Sequence, residues 1–328
     1  MAPGRESRTR PHPWLAYSSG MTPAYLPRCA AQSQFHAVRG LRYHARIWGK
    51  PLQARRDRPL LVMVHGWMDV GASFQFVVDA LPQAAGFERA VAAPDWRGFG
   101  LTAPPSPCDS YWFPDYLGDL DALLDALSPD APVDLVGHSM GGNVVMAYAA
   151  ARPGRIRRLV NLEGWGLPQT RAAQWPRRLT QWLDELKTAQ PLRDYASADE
   201  VAQRLIKNNP RLTPDKAAWL APHWAEQRAD GRWHILGDEA HKRVNPVLYR
   251  VEEHLEAWKH IACPVLWVEG RDTEVSRWWG ERYGKAEFHE RLSVVPGVER
   301  HELPACGHML HHDQPEALAR LLADFLAR

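Results

Sequence analysis

VDLVGHSMGGNVVMAYAAA, residues 133–151, is the stretch whose reading decides the fold. It opens on VDLV (133–136), a short and largely apolar run that suits a strand. From Asn143 onward Ala and Val dominate, which suits a helix. Between the two lies Gly137-His138-Ser139-Met140-Gly141, a serine with a glycine two residues to either side. A strand turning straight into a helix forces the corner residue into a strained backbone conformation. Side chains two positions before and after it would collide with the neighbouring strand and helix, so glycine suits 137 and 141. The Ser139 hydroxyl is then lifted above the sheet, at the positive end of a helix dipole. The turn is expected to present a nucleophile.

The pattern extends in both directions. FHAVRGLRYHARIW (35–48) reads as two strands around a turn at Arg39-Gly40. PLLVMVHG (59–66) is a continuous apolar run, as expected of a strand buried on both faces. GASFQFVVDALPQ (71–83) has helical spacing, RAVAAPDWRGFG (89–100) is a strand and a Gly-rich loop, and DYLGDLDALLDAL (115–127) is an amphipathic helix. RRLVNLEG (157–164) is again a strand. Buried strands alternating with helices predict a mostly parallel, doubly wound α/β sheet.

From Trp165 to Trp258 the alternation stops and the chain reads as mostly helical and polar-aromatic. It resumes at CPVLWVEG (263–270), with RWWGERYGKAEF (277–288) as helix, RLSVVPG (291–297) as the last strand and PEALARLLADFLAR (315–328) as the closing helix. The expected organisation is therefore a tail at 1–33, a core at 34–164 and 259–328, and a helical cap inserted at 165–258.

Composition narrows the function classes. At 328 residues the chain can bury a large core, and 45% hydrophobic with 24% charged residues is ordinary for a globular protein. Lys+Arg 40 against Asp+Glu 38 leaves a net charge of +2, so no nucleic-acid partner is expected. No apolar run reaches membrane-span length. The four scattered cysteines have neither disulfide-framework nor metal-ligand spacing, which points to reduced thiols in a cytoplasm. The first 33 residues are rich in Arg and Pro, carry one acid (Glu6), and lack the apolar core of a secretory signal.

A serine hydroxyl needs a base, usually an imidazole steadied by a carboxylate. His308, in ACGHMLHHDQPEALA, falls on a loop between the last expected strand and the last helix, and is the expected base. Charge developing on a substrate oxygen needs fixed donors. Met140 offers a backbone N–H at the helix start, and Trp67, after His65-Gly66 at a strand end, offers a second.

Together HGWMD (65–69), DWRGFG (95–100), GHSMGG (137–142) and Gly307-His308 resemble the α/β-hydrolase fold family, over roughly residues 34–328. Within it the chain looks most like the serine hydrolase-like group related to haloalkane dehalogenases and epoxide hydrolases. Those relatives carry aspartate at the elbow, and Ser139 here implies acyl-type hydrolysis instead. The resemblance implies Ser139 as nucleophile, His308 as base, and Trp67 and Met140 as oxyanion donors. The family's usual acid position, three residues past Gly270, is Thr273, which leaves two choices. Asp272 could reach from a shifted loop, or Glu163 could serve from the strand after the nucleophile helix, as in some relatives.

Trp175, Trp182, Trp219, Trp224 and Trp233 fall inside the insertion, where a helical core is the main expectation for them. Trp67 and Trp165 adjoin motif residues and are the expected substrate-binding indoles, for an acyl or aromatic small molecule. Trp278 and Trp279 follow the acid loop. Nothing in the sequence offers a metal cluster or a phosphate-cradling loop, so neither metal nor cofactor is expected. The expected function is hydrolysis of a small carboxylic ester or thioester through an acyl-enzyme. The alternatives are C–C bond hydrolysis or a lyase reaction at the same site, or non-enzymatic binding of a small molecule.

Overall fold

The computed structural model describes residues 24–50, 56–83, 89–102 and 108–328. The elements in chain order begin with β1 (Gln32–Val38), β2 (Leu41–Trp48), β3 (Leu61–Val64), α1 (Gln75–Ala80), β4 (Val91–Pro94), α2 (Phe113–Leu127), β5 (Val133–His138), α3 (Met140–Ala151) and β6 (Ile156–Leu162). The middle of the chain forms α4 (Trp175–Leu186), β7 (Asp194–Tyr195), α5 (Ala198–Asn208), α6 (Pro214–Trp224), β8 (Ala225–Gln227), β9 (Trp233–Ile235) and α7 (Val251–Trp258). It closes with β10 (Val265–Gly270), α8 (Ser276–Trp279), α9 (Lys285–Leu292), β11 (Glu299–Leu303), α10 (Leu310–Asp313) and α11 (Pro315–Ala327).

Eight strands make one sheet in the order β1-β2-β4-β3-β5-β6-β10-β11. β1 pairs antiparallel with β2, and β2 antiparallel with β4; every other pairing is parallel. The inner strands are buried throughout, yet their residues alternate between two cores. Val62, Val64, Leu135, Val265 and Trp267 face α2, α3, α7 and α9, whereas Leu61, Met63, Val136, Leu266 and Val268 face α1 and α11. A period of two hidden inside a continuous apolar run is what helices on both faces require.

The topology also says where a ligand would sit. The chain leaves β3 toward β4 on one side, then crosses back to β5 on the other, so the connections diverge between β3 and β5. Such a switch point opens a crevice at the carboxyl ends of its strands. Gly66-Trp67 follow β3 there and Ser139 follows β5.

Several boundaries differ from the sequence expectation. The tail gives way before residue 33: Tyr25 and Cys29 bond the buried Asp79 of α1, at 2.9 and 2.6 Å, and Gln32 already belongs to β1. Of that tail, residues 1–23 lie outside the described residues. RLSVVPG is not a strand. Arg291 and Leu292 end α9, and Phe288, Leu292 and Val295 bury at helical spacing. The last strand is ERHEL (299–303), an edge strand pairing only with β10, with four of its five residues exposed. Charged side chains on such an edge discourage pairing with another chain, and they also erase the apolar signal of a strand. RWWGERYGKAEF is not one helix either, because Gly280 turns at φ 59° and divides α8 from α9.

The segment between β6 and β10 is less helical than expected. α5 and α6 share a small core with a three-stranded sheet, β7-β9-β8, through Val201, Leu205, Leu220 and Trp233. This core joins the main domain at Phe76 of α1. α7 instead packs on α3, and Trp258 lies in the main core. α4 has no buried residue; Trp182 Nε1 reaches Ser110 Oγ at 3.1 Å, Arg178 donates to the Asn245 carbonyl, and Glu185 accepts from Val244 N–H.

Candidate active site

Ser139 sits at the corner between β5 and α3 with φ 54° and ψ −116°, a conformation that costs a non-glycine residue on the order of 1–3 kcal/mol. The neighbouring glycines make the corner possible. A Cβ on Gly137 would stand 2.4 Å from the Gly141 carbonyl, and one on Gly141 2.5 Å from the Val64 carbonyl. Met68, Glu163 and Ala305 also have positive φ, so four of the five such non-glycine residues among those described belong to loops around this site. Backbone strain concentrates where geometry must be held.

The Ser139 Oγ lies 3.0 Å from His308 Nε2, and His308 Nδ1 lies 3.1 Å from Glu163 Oε2. A carboxylate accepts only, so Nδ1 carries the proton and Nε2 presents its lone pair to the hydroxyl. Glu163 is 1% exposed, and a buried carboxylate must be bonded to be tolerated. It is surrounded by donors: Trp165 Nε1 at 2.6 Å, Gly270 N–H at 2.6 Å and Thr273 Oγ1 at 3.0 Å. Asp272, the other expected acid, points elsewhere. It is 41% exposed and accepts from Arg211 Nη2 at 2.9 Å. The loop bearing His308 is held by Asp313, which accepts from Gly307 N–H and from Asn209 Nδ2.

The loop after β3 is fixed just as closely. His65 Nε2 accepts from Trp96 N–H at 2.9 Å, and its Nδ1–H donates to the Gly66 carbonyl at 2.7 Å. Burial keeps this imidazole's pKa low, and the two bonds fix its neutral tautomer. Gly66 packs so close to the elbow that a Cβ there would stand 3.0 Å from Ser139 Cβ. Trp67 therefore follows directly beside the serine. The Met140 N–H is among those at the head of α3 that no helical carbonyl can reach.

The expected substrate-binding indoles separate. Trp67, directly after the Gly66 that packs on the elbow, is 53% exposed. Trp165 is a correction: it is buried against Trp267 and Phe288, and its one N–H is taken by Glu163. Its ring is closed off from solvent and its N–H is committed to the Glu163 carboxylate. Trp278, which the sequence left without an assigned role, is 42% exposed with its ring edge-on to His308 at 4.6 Å. Sequence reasoning missed the donors to Glu163 from Thr273 and Gly270, although Thr273 stands where the acid was first sought. It also missed the burial of Asp69, His138 and His311 beneath the serine, which only the folded chain brings together.

Comparison with known proteins agrees with this architecture. The family model for the α/β-hydrolase fold matches residues 59–315. The "Serine hydrolase-like protein" of Danio rerio is 25% identical over 85% of this chain and 83% of its own length. The 2-hydroxy-6-oxo-2,4-heptadienoate hydrolase of Pseudomonas putida is 28% identical over 81% of this chain and 88% of its own. Among solved structures, the thioesterase domain from the curacin biosynthetic pathway superposes with a TM-score of 0.75 at 26% identity, covering 89% of this chain and 99% of that domain. No helix among the described residues is long and apolar enough to cross a membrane. The chain is an enzyme of the α/β-hydrolase fold family.

Proposed function

We propose that the protein is a serine hydrolase that cleaves a small carboxylic ester or thioester through an acyl-enzyme. Ser139 Oγ attacks the acyl carbon while His308 Nε2 takes its proton. The carbonyl oxygen becomes an oxyanion that accepts from the Trp67 and Met140 N–H groups. His308 returns the proton to the leaving alkoxide or thiolate, and the acyl group stays on Ser139. A water then attacks, again deprotonated by His308, and the acid departs with Ser139 restored. Glu163 keeps His308 in the required tautomer.

The observation that carries this reading is the unbroken relay of Ser139 Oγ, His308 and Glu163, with steps of 3.0 and 3.1 Å. Trp67 and Trp278, exposed beside the serine and the base, support an acyl or aromatic substrate. The free thiols of Cys29, Cys108, Cys263 and Cys306, two of them buried, support a reducing compartment, the cytoplasm. Similarity to a heptadienoate hydrolase favours C–C bond hydrolysis as the second reading, with the same residues moving protons.

A fluorophosphonate probe should label the wild-type chain and fail to label Ser139→Ala; an unlabelled wild type would refute both readings. A panel of p-nitrophenyl esters and acyl thioesters of rising chain length then separates them. Turnover of the panel supports acyl-ester chemistry, and inertness of a chain that still labels supports the second reading.

A further inference from the structure

The loop after β3 and the two segments that carry Ser139 and His308 also meet below the relay. Asp69 follows Trp67 on the loop after β3, His138 precedes Ser139 at the end of β5, and His311 lies three residues past His308 in α10. All three are buried, and one metal-binding atom of each lies within 4.8 Å of the others. No sequence spacing announces this cluster, because the three residues belong to separate segments.

Their hydrogen bonds leave the convergent atoms over. The His308 carbonyl accepts from His138 Nε2 at 2.8 Å, so His138 carries its proton there and Nδ1 keeps a bare lone pair. Asp69 Oδ1 accepts from Val70 N–H and from the Ser73 hydroxyl, whereas Oδ2 has no hydrogen-bond partner among the described residues. His138 Nδ1 and both ring nitrogens of His311 have none either. His311 Nε2 stands 3.7 Å from Asp69 Oδ2, beyond a hydrogen bond. The surroundings are the rings of Phe74 and His312, at 5.1 and 4.3 Å from His311, and the backbone at Gly66. A polar atom buried without a partner has lost its water and gained nothing in return. An imidazole lone pair, a carboxylate oxygen and a second imidazole, left unpartnered in one buried cluster, call for a cation.

We propose that Asp69, His138 and His311 bind one late first-row divalent cation of the Zn2+ or Co2+ type beneath the nucleophile. Two imidazoles and one carboxylate suit such ions, while Mg2+ and Ca2+ favour oxygen donors alone. The ion would be a clamp. His138 is the peptide neighbour of Ser139 and holds the His308 carbonyl, so one cation ties together the loops that carry Trp67, Ser139 and His308. The competing occupant is a proton, with His311 doubly protonated between Asp69 and His138. The two occupants differ in what can be measured.

The test uses the full-length chain, stripped with a chelator and titrated with Co2+. Visible d–d absorption should saturate at one equivalent, disappear on addition of one equivalent of Zn2+, and accompany a rise in Tm. His311→Gln and, separately, Asp69→Asn should each weaken Co2+ binding at least about tenfold. His260→Gln, at an exposed histidine just past α7, should bind as wild type. If both variants fail to fold, Zn2+ should still move the 15N signals of His138 and His311 in the wild type. No Co2+ uptake, equal affinity in the variants, or 15N spectra showing His311 protonated on both nitrogens and unmoved by Zn2+ would each overturn the proposal. The Ser139→Ala chain should bind Co2+ like wild type, which separates this outcome from the fate of the serine hydrolase reading.

Discussion

The loops after β6 and β10 leave adjacent parallel strands, and each carries an acid. Glu163 is buried and takes bonds from an indole, a backbone amide, a threonine and the imidazole. Asp272 lies at the surface in an ion pair with Arg211, each side chain more than 40% exposed. A solvated pair of that kind contributes about 0–1 kcal/mol. What separates the two carboxylates is therefore the ring of donors around each. One of those donors, Thr273, comes from the rival loop itself, so the β10 loop helps to hold the β6 acid.

That contrast can be broken experimentally, beginning with the hydroxyl at the head of the relay that either acid would complete. Ser139→Ala should lower kcat on a turned-over ester by on the order of a million-fold, measured by initial rates with the probe-labelled fraction as control. Glu163→Gln should lower kcat about a thousandfold or more, because the amide can offer a donor to His308 Nδ1 and favour the wrong tautomer. A larger loss in Asp272→Asn would reverse the assignment of the acid. Thr273→Val removes one hydrogen bond to a buried charged group and should cost about tenfold in kcat, with KM little changed. Asp272→Asn should be smallest: kcat within about twofold of wild type and unfolding free energy within about 0.5 kcal/mol, by urea titration.

Much of this was legible in the chain. The elbow could be read because its glycines stand at a fixed spacing two residues either side of the serine, and the sheet because inner strands are apolar on both faces. The choice between Glu163 and Asp272 could not be read, since the deciding donors come from residues about 110 positions away. The edge strand at 299–303 was hidden by its own charges, and RLSVVPG misled because β-branched residues buried by a helix end look like a strand. The strands of the inserted sheet, two or three residues long, are too short to show a period. Trp165 was placed in a pocket because it adjoins a motif residue, yet adjacency in sequence put its ring under the acid.

Helix α4 buries no side chain fully: Leu179, Trp182 and Leu186 are half-buried, Trp182 meets the Trp112 ring at 6.1 Å, and polar tethers make up the rest. Less free energy then opposes its excursion than that of α5 and α6, which must break a packed interior to move. Amide exchange in this part of the molecule should divide sharply, with 175–186 trading hydrogens early and 198–224 late.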